Sequence, residues 1–165
     1  MNTPKMKPEL PIFVFGTLIP DSGNDRVWRG LAEAQDVGVA TINDHRLVSN
    51  GSFPYCLPSP GDVTTGALIH PFAHCYEEAL IKMDRLEGVP RHYNRKSIVV
   101  TTPERLVHAW YYIPEDWRAY STLEPVFNNN WLQRNRLLPA GNDTWADEAD
   151  FRESQANERT EVESW

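Results

Sequence analysis

The sequence predicts an α+β domain with a mixed or antiparallel sheet that can curl into a barrel. Three observations carry that reading. β-rich segments precede the middle of the chain, a single helical period follows them, and a long β-rich pair returns afterwards.

The first element is Pro11 to Phe15 (PIFVF), a continuous apolar run of strand length, cut short by Gly16-Thr17 and then by the polar turn Pro20-Asp21-Ser22-Gly23. Val37 to Ile42 alternates apolar with small residues and predicts a second strand. His45 to Val48 predicts a third, ended by Asn50-Gly51, a strong turn signal. Phe53 to Gly61 carries three prolines and reads as an irregular loop. Val63 to Ile69 reads as a strand, with Gly66 marking a bulge or a close backbone approach.

The helix is predicted over Phe72 to Leu86. Tyr76, Ala79, Leu80, Met83 and Leu86 recur at helical spacing, and Gly88 is placed to close the helix with a left-handed cap. Tyr93 to Thr102 and Leu106 to Ile113 predict a long hairpin near the end of the sheet. A short helix is predicted near Asp116 to Leu123. After Pro139 the chain is polar, charged and poor in aliphatics, which predicts disorder or a loose helix.

The chain of 165 residues is expected to form one domain with a sizeable core. The boundaries read as an N-terminal extension over 1–10, a folded domain over 11–140 and an acidic tail over 141–165. Of the net charge of −7, the tail holds −6, eight acids against two arginines, leaving −1 for residues 1–140. Neither part offers the basic footprint that phosphate contacts require, so nucleic acid is not the expected partner. The tail is instead a candidate segment for a protein partner. No apolar run approaches the roughly 20 residues that span a bilayer, and MNTPKMKPEL lacks the apolar core of a secretory signal. The expectation is a cytoplasmic protein with no membrane association, in which Cys56 and Cys75 are reduced thiols.

Glu87 does not suit its surroundings. It falls four residues after Met83 and seven after Leu80, on their apolar face, and at the helix C-terminus, where the macrodipole disfavours negative charge. Desolvation and dipole both push its pKa upwards, towards the range in which a carboxyl exchanges protons near neutrality. The alternative is a frayed last turn, with Glu87 in water beside Arg85 or Arg91. Gly16 is equally two-sided. A glycine closing a buried strand lets a ligand reach backbone N–H donors, or serves a tight packing contact.

Five stretches in order resemble one family. They are Phe15-Gly16-Thr17-Leu18 with Asn24 in the following turn; Phe53-Pro54-Tyr55; Val63 with Gly66-Ala67-Leu68; Met83-Asp84-Arg85-Leu86-Glu87 followed by Tyr93 and Arg95; and Ala109-Trp110-Tyr111-Tyr112. Over residues 11–113 this set is similar to the gamma-glutamylcyclotransferase-like superfamily, particularly small members such as gamma-glutamylamine cyclotransferases. The resemblance implies a small mixed β-barrel with flanking helices and a cavity shared by the glycine loop and the acid. It implies cofactor-independent chemistry, in which the α-amine of a gamma-glutamyl amide attacks its own side-chain carbonyl and releases 5-oxoproline and an amine. Glu87 would carry the proton. Phe15, Gly16, Thr17, Leu18, Tyr55 and Tyr93 would contact the small-molecule substrate.

Two positions depart from the family pattern. Phe15 stands where a tyrosine is usual, and Leu86 where relatives often have Phe or Gln. A catalytically reduced binding module that keeps the cavity is therefore the alternative. Other chemistries are weaker. His70, His74 and Cys75 approach metal-ligand spacing without a second ligand cluster, so no metal is expected, and nothing pairs Cys56 with a histidine.

Overall fold

The apolar run at the start of the domain becomes a short central strand, β1 (Ile12–Val14), in a computed structural model that describes residues 9–89 and 93–135. All three of its residues are buried, as a strand with neighbours on both edges requires. One neighbour is β3 (Pro54–Pro71), antiparallel, pairing Ile12 with Ile69 and Val14 with Ala67. The other is β5 (Leu106–Pro114), parallel, pairing Ile12 with Trp110.

β5 forms the predicted hairpin with β4 (Tyr93–Thr101), in register from Tyr93 opposite Pro114 to Thr101 opposite Leu106. β4 then meets β2 (Ala32–Ser49) at Thr41 opposite Thr101, and β2 runs antiparallel to β3. The order β3-β1-β5-β4-β2 thus closes on itself into a five-stranded mixed barrel. A two-residue strand, β6 (Glu124–Pro125), pairs with the end of β2. The α+β barrel expected from the sequence is the fold observed.

Several elements differ from expectation. The two strands predicted over Val37 to Ile42 and His45 to Val48 are one strand, β2. Asp36 (φ 55°), Gly38 (φ 82°) and Asp44 (φ 60°) take left-handed conformations that produce bulges instead of strand ends. The register with β3 shifts at both places.

Phe53 to Gly61 is not an irregular loop, since Pro54 begins β3. The prolines are tolerated because Pro54 is the first strand residue, Pro58 lies opposite His45 beside a register shift, and Pro60 falls between the paired residues Pro58 and Val63. The hairpin is no sheet end, because closure gives both its strands outer neighbours. The segment after Asp116 forms only a 3-10 turn, Trp117–Tyr120. The predicted segment after Pro139, the tail and most of the N-terminal extension lie outside the described residues.

The helix α1 (Tyr76–Glu87) starts later than predicted, after a 3-10 turn over Ala73–Cys75. Tyr76, Ala79, Leu80 and Met83 are buried as the spacing requires, whereas Leu86 is 40% exposed. The helix start is tied to the barrel through Tyr76, whose hydroxyl donates to Leu10 O at 2.8 Å and accepts from Trp110 Nε1 at 3.0 Å.

Gly66 is a close backbone approach, as the sequence suggested. A Cβ there would lie 2.1 Å from Val14 O and 2.9 Å from Phe13 Cζ. Backbone on one side and a core ring on the other leave no room to yield. Gly66→Ala is therefore expected to destabilise the fold by about 3 kcal/mol through overpacking, read as a lower urea midpoint. A midpoint matching the parent would show that β1 and β3 can separate at this point.

Candidate active site

Helix α1 ends in a formed cap. Gly88 has φ 73°, its N–H donates to Arg85 O at 3.2 Å, and the Val89 N–H donates to Asp84 O at 3.0 Å. With those carbonyls satisfied the last turn does not fray. Glu87 accordingly faces a cavity of about 510 Å³ and does not swing into bulk water.

The cavity is assembled from separate parts of the barrel. The loop after β1 contributes Phe15, Gly16, Thr17 and Leu18. The turn into β3 contributes Phe53, Pro54 and Tyr55, and the helix end contributes Leu86 and Glu87. Tyr93 opens β4, Tyr112 sits on β5, and Tyr120 arrives on the 3-10 turn. All seven residues singled out in the sequence (Phe15, Gly16, Thr17, Leu18, Tyr55, Glu87 and Tyr93) meet on this one wall.

Gly16 owes its identity to packing. A Cβ would lie 2.4 Å from Pro54 Cγ and 3.0 Å from Pro54 Cδ. The proline, not a ligand, occupies the space that the missing side chain leaves. The loop it opens is held by its own bonds: Ile19 N–H to Gly16 O at 3.0 Å, Asn24 N–H to Thr17 O at 2.9 Å, and Asn24 Nδ2 to Thr17 Oγ1 at 2.9 Å. Among the described residues no protein acceptor takes the N–H of Thr17 or Leu18. Two cavity-lining residues thus carry backbone donors with no protein acceptor among the described residues.

Burial and the neighbouring Asp84 charge push the Glu87 carboxyl up to about 7. Part of the side chain borders the cavity, but protein encloses most of it, and this desolvation is the larger cause. Asp84, one helical turn earlier, accepts from the Tyr112 hydroxyl at 2.7 Å and forms an ion pair with Arg95, Nε to Oδ1, at 3.4 Å. Arg95 in turn lies over the Trp110 ring, 4.8 Å from its centroid. Burial first, with smaller contributions from the Glu87 charge, also raises the phenols of Tyr55 and Tyr93. Burial likewise raises Tyr112, followed by its bond to Asp84. These hydroxyls stay protonated across the range in which Glu87 titrates.

Sequence reasoning gave no site role to Tyr112, Asp84 or Tyr120. The first two lie inside stretches already singled out, and the register Arg95 opposite Tyr112 would have joined them. Tyr120 carries no sequence signal, because only the tertiary fold brings it 4.4 Å from the Tyr55 ring. His74 stacks on Phe72, and among the described residues no three His, Cys, Asp or Glu side chains converge as metal ligands. Cys56 and Cys75 are free. No described helix is long and apolar enough to cross a membrane.

The family model for gamma-glutamyl cyclotransferase, AIG2-like proteins matches residues 12–133. The chain belongs to this family. An AIG2-like protein from Mus musculus, solved by crystallography, is 24% identical with a TM-score of 0.57, over 70% of this chain and 84% of that one. A solution structure from Arabidopsis thaliana is 15% identical with a TM-score of 0.55, over 97% of this chain and 83% of that one. A gamma-glutamyl cyclotransferase is 18% identical with a TM-score of 0.51, over 91% of this chain and 86% of that one. At these identities the structures establish a shared cyclotransferase-like fold. No curated protein sequence gives a significant match.

The raised Glu87 pKa has a consequence for stability in this cyclotransferase-family barrel. The folded state binds its proton more tightly than the unfolded chain, whose ordinary value is 4.5. The contribution of this group is therefore fully present below 4.5 and is lost as pH rises through about 7. Glu87→Gln is expected to stabilise the fold at pH 8 by about 3 kcal/mol at most, with no difference at pH 4. A second expectation concerns Asp84→Asn, which should move the Glu87 midpoint towards acid when its carboxyl carbon is followed by NMR. An unmoved midpoint would assign the shift to desolvation alone.

Proposed function

We propose that this chain is a gamma-glutamyl cyclotransferase that cleaves a gamma-glutamyl amide into 5-oxoproline and a free amine. The observation that supports it is the placement of Glu87. In a chain of this family, a desolvated carboxyl that titrates near neutrality shares one cavity with Thr17 and Leu18, whose N–H groups no described acceptor takes, and no histidine, cysteine or lysine is among the described lining residues.

The α-amine of the substrate attacks its own side-chain carbonyl carbon, closing a five-membered ring. The bond from that carbon to the leaving nitrogen then breaks. Glu87, ionised, takes a proton from the attacking nitrogen and returns it to the leaving one, so the reaction balances without an added nucleophile. A carboxyl near 7 suits both halves of that transfer. The cavity's main task is to fold the substrate so that amine and carbonyl meet. The N–H groups of Thr17 and Leu18 hold the α-carboxylate or the developing oxyanion. The Tyr93 hydroxyl orients Glu87 or the substrate, and Tyr55 packs alongside it.

The alternative, a cavity that binds without turnover, is favoured by Phe15, which offers a ring where relatives offer a phenol. A panel of gamma-glutamyl amides, assayed for 5-oxoproline, separates the two readings. The wild-type protein is expected to turn over at least one amide, with kcat/KM rising as pH passes through about 7 as Glu87 ionises. Glu87→Gln is expected to lose about 10²–10⁴-fold while keeping the fold. Undiminished activity in that variant would remove Glu87 from the mechanism. Absence of turnover across the panel would leave the binding reading.

A further inference from the structure

The wall around Glu87 is aromatic to a degree that the proton transfer does not require. The Tyr55 ring lies 6.2 Å from Tyr93, nearly parallel at 14°, and 4.4 Å from Tyr120. Phe53 and Leu86, on the same cavity, are 47% and 40% exposed. Apolar surface left open beside a desolvated carboxyl is surface that a ligand covers.

The charge balance of the cavity points the same way. Glu87 is the only charged side chain among the described lining residues, and Asp84 stands one turn behind it. The glutamyl carboxylate of a substrate already needs the Thr17 and Leu18 N–H donors. A leaving amine with a carboxylate of its own would bring a further negative charge into a desolvated space where no cation is among the described lining residues. An amine with a flat apolar body meets the tyrosine wall instead and covers Phe53 and Leu86.

We infer that the site takes gamma-glutamyl amides of apolar amines without a carboxylate, arylalkylamines foremost, with the Tyr120 ring as a determinant of that preference. This rests on the cyclotransferase reading for the glutamyl half of the ligand. The test must therefore separate selectivity from turnover. Glutaric monoamides do so, because they keep the carboxylate and the amide but lack the attacking amine. The wild-type protein is titrated by calorimetry with the phenethylamine monoamide and with the phenylalanine monoamide, which differ by one carboxylate.

The phenethylamide is expected to bind tighter by about tenfold or more. Tyr120→Ala, a change at a half-buried position on the 3-10 turn, is expected to weaken the phenethylamide by a larger factor than the glutaric monoamide of methylamine, titrated alongside. Equal or tighter binding of the phenylalanine amide, equal weakening of both amides in the variant, or no binding by any of them would overturn the inference. A preserved binding preference with no release of 5-oxoproline from gamma-glutamyl phenethylamide would uphold the selectivity and sink the cyclotransferase activity.

Discussion

Two missing Cβ atoms set the position of everything else in this barrel. At Gly66 the β3 backbone comes so near Val14 O that a methyl group would sit 2.1 Å from it, and at Gly16 the chain lies directly against Pro54. The first contact draws β1 tightly onto β3. The second brings the loop after β1 against the start of the same strand. Because Pro54 is followed by Tyr55, this packing places backbone donors and the first ring of the aromatic wall side by side. Each contact involves backbone or a rigid ring, so neither neighbour can yield cheaply.

The helix completes the arrangement through its ending. A Schellman-type cap at Gly88 fixes the last turn, and the buried row Tyr76, Ala79, Leu80 and Met83 fixes its rotation. The backbone of Glu87 is thereby held at the edge of the cavity. Its charge is disfavoured by burial and by Asp84, while Asp84 has the Tyr112 hydroxyl and Arg95 as partners. Two acids one turn apart thus have different environments: Asp84 has a hydroxyl donor and an ion-pair partner, whereas Glu87 has no paired cation among the described residues. Such a division of roles between neighbouring carboxyls suits one of them to move a proton.

The strands, the helix and the apolar placement of the carboxyl were legible in the sequence because they rest on local periodicity, whereas the closed barrel and the role of the carboxyl came from the family resemblance. The apolar run before Gly16, the helical row and the glycine cap each follow from spacing. What failed to show depends on long-range pairing. Asp36 and Asp44 lie just before the two strands expected at 37–42 and 45–48, yet in β2 they make bulges because β3 continues alongside them. Pro58 read as a strand breaker, yet it lies at a register shift where the ladder is already interrupted. Tyr120 was invisible for a similar reason: its local sequence makes only a 3-10 turn, and the contact with Tyr55 spans 65 residues of chain. For Gly16 the spacing was informative but the cause was not. Sequence shows that a side chain is missing, not which neighbour fills the space.

The substitution at Phe15 removes less than it first suggests. Phe15 is buried and its ring lies 6.4 Å from Phe13, so it extends the core up to the cavity wall. A tyrosine there would add one phenol to a cavity that already has those of Tyr55, Tyr93 and Tyr112. All three are raised by the burial that raises Glu87. A phenol held further from ionisation stays protonated at neutral pH and serves through hydrogen bonds, which it can both donate and accept. On the proposed mechanism the loss at position 15 is therefore one hydrogen-bonding group for the substrate, a matter of affinity and selectivity, and the proton transfer proposed for Glu87 does not depend on it.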